Sequence, residues 1–95
     1  MPTLLLTPTE RKELQARAQS LKPVVLVGNA RLTPPVLQEM DRALSSHELI
    51  KVRLAGADKN DREQAAEEIA EALSCAAVQI IGNTLILFRP LPEED

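Results

Sequence analysis

Two periods of apolar and polar positions recur along this chain. In a helix predicted over about residues 8–20, Leu14 and Ala18, continued by Leu21, fall on one stripe, and Arg11, Lys12, Gln15 and Arg17 lie mostly outside it. Thr7-Pro8-Thr9-Glu10 predicts the helix start: Thr7 can cap, Pro8 needs no N–H at the first position, and Glu10 completes a capping box. Lys22-Pro23 ends the helix, because a residue before proline is driven from the α region. Val24–Val27 is a continuous apolar, largely β-branched run, which predicts a central strand buried on both faces. After the turn at residues 28–31, Val36, Met40, Ala43 and Leu44 predict a second helix over about Pro34–Ser46.

The period changes to two in Leu49–Leu54, with Ile50, Val52 and Leu54 on one face and Leu49, Lys51 and Arg53 on the other. Asp58–Ser74 returns to helical spacing, with Ala65, Ala66, Ile69, Ala72 and Leu73 inward and Asp61, Glu63, Glu67, Glu68 and Glu71 outward. Ala77–Ile81 and Thr84–Phe88 flank Gly82-Asn83, a two-residue connection suited to a hairpin. The predicted order is therefore αβαβαββ, an α/β fold with three helices and a four-stranded mixed sheet. With no repeat or long linker, the chain is expected to be one compact domain over residues 1–95, with a core of about 6–90 and an acidic tail at 91–95.

Composition narrows the function classes. The chain has 95 residues, 44% hydrophobic and 26% charged, and no apolar run long enough to cross a membrane. The N-terminus lacks the basic region and apolar length of a signal peptide, and a lone Cys75 permits no intrachain disulfide, so a cytoplasmic protein with no membrane partner is expected. The net charge of −3 is unevenly distributed. Residues 1–53 carry eight Lys/Arg against five Asp/Glu, whereas residues 54–95 carry three against nine. An electropositive surface on an acidic body follows, with the acidic third helix facing away from it.

Catalytic chemistry finds little support. His47 is the only histidine and stands at a predicted helix end, where a polar cap or surface position is expected. Cys75 has no histidine or cysteine partner for a metal site, and its position at the end of an acidic helix favours a raised pKa. Gly28 is the only glycine in its turn, so neither a dinucleotide fingerprint nor a P-loop is present. No catalytic residue, metal, cofactor or small-molecule substrate is expected. The absence of Trp and Tyr, with Phe88 the single aromatic residue, also disfavours base-stacking RNA platforms. Backbone recognition remains: a strand followed by a tight turn and a helix start offers N–H groups to an anion. Gly28-Asn29-Ala30-Arg31 has this form, with Arg31 as a bidentate phosphate donor and Lys22 as a charge at the far end of the strand.

Residues 21–37 ("LKPVVLVGNARLTPPVL"), "HELIKVRL" at 47–54 and "VQIIGNTLILFRP" at 78–90 together resemble the CRM domain family, named for chloroplast RNA splicing and ribosome maturation, and within it the stand-alone bacterial members of YhbY type. The resemblance spans about residues 6–90. It implies a fold similar to the C-terminal domain of bacterial translation initiation factor three, and binding of structured ribosomal RNA in precursors of the large ribosomal subunit, without catalysis. The family's GxxG loop aligns with Gly28-Asn29-Ala30-Arg31, Arg31 standing where the second glycine would be. On this basis Lys22, Gly28, Asn29, Ala30 and Arg31 are RNA-binding candidates, extended by Arg11, Lys12 and Arg17 on the first helix. Lys51 and Arg53 are weaker ones, because the first helix is expected to cover their face. A monomer is expected. The alternative is a protein-interaction module whose RNA affinity has weakened or been lost.

Overall fold

Local signals set most of the element boundaries in the computed structural model, which describes residues 6–29 and 31–91. Ala30 and residues 92–95 of the expected acidic tail lie outside the described residues. The order is α1 (Pro8–Ala18), β1 (Pro23–Gly28), α2 (Pro34–His47), β2 (Leu49–Ala55), α3 (Lys59–Leu73), β3 (Ala76–Ile81) and β4 (Thr84–Phe88). The capping box of α1 is complete: the Glu10 N–H donates to Thr7 Oγ1 at 3.1 Å, and the Thr7 N–H donates to Glu10 Oε1 at 3.0 Å. That backbone N–H, followed by the Thr7 hydroxyl, holds the Glu10 carboxyl below its ordinary pKa. The helix ends at Ala18, two residues before the expected Ser20.

The sheet has the order β1-β2-β4-β3, with β1 parallel to β2 and the other two pairs antiparallel. Helices α2 and α3 cover one face, burying Val25, Val27, Ile50, Val52, Leu54, Leu85 and Leu87 against Met40, Leu44, Ala65 and Ile69. Helix α1 covers part of the other, where Leu14 and Ala18 pack on Leu49, Val78 and Ile86. Leu49 and Arg53, four residues apart on one face of β2, thus have different surroundings: Leu49 is buried, and Arg53 is exposed beyond the helix.

Two expectations about burial are corrected. β1 is an edge strand, not a central one. Val24 and Leu26 are 49% and 64% exposed because α1 packs on β2, β3 and β4 and stops short of β1. In α3 the inward positions are Ala65, Ala66, Ile69 and Ala70, while Ala72 is exposed. Ala70, two residues before Ala72, takes its place on the stripe, and Leu73, half-buried, closes it.

Arg89 fastens the end of β4 to both helices on the opposite layer. Its guanidinium donates to Asp41 Oδ1 at 2.7 Å, to the Leu73 carbonyl at 3.0 Å and to Ser45 Oγ at 3.0 Å. Cys75 is buried, and burial pushes its thiol up to about 11. The direction of that shift matches the expectation. Its main cause is loss of solvent, not the acidic helix.

Candidate nucleic-acid interface

The turn after β1 is built by three contacts. The Asn29 N–H donates to the Ala55 carbonyl at 2.6 Å, continuing the β1–β2 ladder one residue beyond Gly28. The Arg31 N–H donates to the Gly28 carbonyl at 3.0 Å, which closes the four-residue turn. Asn29 itself has φ 52, a left-handed conformation that asparagine tolerates better than most residues. Its side chain lies over Gly56 in the turn after β2, so the two turns support one another.

Two glycines here have opposite reasons to exist. Gly56 has φ +76, and a Cβ there would meet Asn29 Oδ1 at 2.4 Å, so the fold itself requires glycine. Gly28 has no left-handed φ, and a Cβ there would meet none of the described residues within 4 Å. Nothing among the described residues accounts for its missing side chain. Gly56 was not among the sequence candidates; its place before Ala57-Asp58, at a strand end, was the available signal.

Basic residues surround this turn unequally. Arg31 is exposed within it. Arg53 is exposed and pairs across the ladder with Leu26, two residues before Gly28, so it shares the open face that leads to the turn. Lys51 on the same face is half-buried. Lys22 is exposed at the opposite end of β1, as expected. Arg17, also exposed, stands 3.6 Å from Glu48. Lys12 is exposed on α1.

Arg11 is placed differently. Its guanidinium donates to the carbonyls of Ala77 and Val78, at the irregularity in β3 where two residues bulge from the ladder. The structure thus puts Arg11 at the β3 edge, with the whole sheet between it and the turn. Its hydrogen bonds serve the fold, and they hold it apart from the basic turn whose contact it was expected to extend along the first helix.

Acidic residues come closer than expected. A cavity of ≈ 220 Å³ brings Asn29 together with Asp61, Gln64 and Glu68 of α3. Helix α3 therefore does not face away from the turn; it flanks it with carboxylates. An anion reaching Gly28 and Arg31 meets less repulsion from the α1 side of the sheet, where Arg53 and Lys51 stand. Among the described residues, no group of three His, Cys, Asp or Glu could hold a metal ion, and no helix is long and apolar enough to cross a membrane.

Comparison with known proteins gives consistent findings. The CRS1/YhbY (CRM) domain family matches residues 6–89. A Haemophilus influenzae protein named as an RNA-binding protein is 41% identical over 88 residues, covering 93% of this chain and 89% of the relative. A Pseudomonas aeruginosa protein named as a probable RNA-binding protein is 38% identical over 90 residues, covering 95% and 86%. The solution structure of SAV1595 from Staphylococcus aureus, itself a candidate RNA-binding protein, superposes with a TM-score of 0.84 at 26% identity, covering 96% of this chain and 95% of that one.

Proposed function

This chain belongs to the CRS1/YhbY (CRM) domain family, and we propose that it binds RNA through the turn Gly28–Arg31 and the open face of β1 and β2 beside it. The observation that carries this reading is Gly28. Among the described residues its Cα faces open space, and a position left bare in this way supports close approach of a sugar-phosphate backbone. Arg31 supplies charge in the turn, Arg53 on the open face beside it, and Lys22 at the other end of the strand. Relatives named as RNA-binding proteins support the same conclusion.

The target class is structured RNA. A-form helices and junctions are read through phosphates, 2′-hydroxyls and shape, and the chain has no Trp or Tyr on which to stack bases. Low sequence specificity follows. The resemblance read from the sequence supports ribosomal RNA in precursors of the large subunit as the site of action, with the protein acting in the cytoplasm as a monomeric assembly factor that performs no catalytic step.

A second reading rests on the exposed Val24 and Leu26, an apolar edge to which a protein could add a strand. Salt distinguishes the two. Phosphate contacts release counterions, so RNA affinity falls steeply with added salt, whereas an apolar edge contact does not. Fluorescence anisotropy against a structured large-subunit rRNA fragment at several salt concentrations, with Arg31→Glu and Lys22→Glu, tests this. The proposal expects binding that weakens with salt and is lost in both variants; absence of binding at low salt would overturn it.

A further inference from the structure

At the end of β1 opposite the turn, between the last residues of α1, the start of β1 and the end of α2, lies a cavity of ≈ 350 Å³. Its floor is apolar, made by Leu21, Val24, Leu49 and Ile50. Its rim carries Arg17, Lys22 and His47. Among the described residues, the carboxylate in contact with this rim is Glu48, 3.6 Å from Arg17, an exposed pair of the kind that contributes little and exchanges readily.

We infer that this cavity receives one unpaired nucleotide of the bound RNA, the base lying on the apolar floor and its phosphate held by Arg17 and Lys22. The inference rests on the RNA-binding reading and goes beyond it, because phosphate recognition at the turn needs no base pocket. Three observations favour it. The volume lies within the roughly 300–1,000 Å³ of small-ligand sites. An apolar floor under a cationic rim matches a ligand with a flat, weakly polar body and an anionic substituent, and a guanidinium plane such as that of Arg17 can also stack on a base. The cavity also lies in line with the proposed phosphate site: Val24 and Gly28 are four residues apart on an extended strand, roughly 13 Å, with exposed Leu26 between them. An RNA strand laid along β1 reaches both ends.

Nuclear magnetic resonance of the full chain tests the pocket directly. Adenosine 5′-monophosphate is expected to shift the methyl signals of Leu21, Val24 and Leu49, while ribose 5-phosphate, which has the anion without the base, leaves Leu21 and Leu49 unmoved. Val24→Phe fills the cavity from a half-exposed position that β-structure tolerates, and it should abolish the nucleotide-induced shifts. In parallel, an RNA hairpin with one unpaired nucleotide should bind wild type several-fold tighter than the fully paired hairpin, up to roughly the fivefold that marks the low end for a base stacked on an aromatic ring. Val24→Phe should bind the two equally. A wild type that binds both hairpins equally, with its methyl signals unmoved by the nucleotide, overturns the pocket and leaves RNA binding at the turn intact. Failure to bind either hairpin removes the RNA reading and the pocket's role with it.

Discussion

Asn29 and Gly56 are locked together: a Cβ on Gly56 would stand 2.4 Å from Asn29 Oδ1, and both residues have positive φ. The turn proposed to meet RNA is therefore shaped by a second turn 27 residues along the chain. Gly56→Ala should destabilise the protein by about 2 kcal/mol, roughly 10 °C in Tm, from left-handed backbone strain and displacement of Asn29. RNA affinity should fall several-fold in the same variant. Adding Asn29→Gly should restore part of the stability, and a thermal-melting double-mutant cycle measures the coupling.

Arg11 and Arg53 divide structural from functional charge. Arg11→Ala removes charged donors from two β3 carbonyls and should cost about 2 kcal/mol in urea denaturation, with RNA affinity changed less than twofold. Arg53→Ala has no such contact to lose among the described residues. It should leave stability within about 0.5 kcal/mol of wild type, weaken RNA binding several-fold, and reduce the slope of log affinity against log salt by about 1.

Cys75 predicts an alkaline weakness. Its thiol pKa is raised from 9.0 to about 11 by burial, so between those values the unfolded chain has lost a proton that the folded chain retains. Stability is fully present below pH 9 and is lost as pH rises toward 11, by a total on the order of 2–3 kcal/mol. Urea unfolding of wild type and Cys75→Ala across pH 8–11 checks this, with a shallower alkaline decline expected in the variant. The native thiol should also react slowly with thiol reagents at neutral pH.

What could be read from the chain was what is encoded locally. Thr7, Pro8 and Glu10 announce α1 because a capping box needs only neighbouring residues, and Gly82-Asn83 announces the hairpin for the same reason. The edge position of β1 was not readable. An unbroken apolar run states what a strand could bury, whereas Val24 and Leu26 are exposed because α1 ends before reaching them, a fact of three-dimensional order. Arg11 misled for a similar reason: its partners lie 66 and 67 residues away, at a β3 irregularity with no local signature. The turn at Gly28 was recognisable as a candidate site from strand, glycine and helix start, but its dependence on Gly56 and the nearby carboxylates of α3 required the fold.

The most direct test of the central claim is a paired measurement on Gly28→Val, comparing thermal stability with affinity for a structured rRNA fragment. Because a Cβ at this position meets none of the described residues and the backbone is not left-handed, stability should stay within about 1 kcal/mol of wild type. RNA affinity should fall at least about tenfold, as branched carbons hold the phosphate away from the turn. A variant that keeps its fold and binds RNA as tightly as wild type would contradict the claim that Gly28 is bare for the sake of RNA.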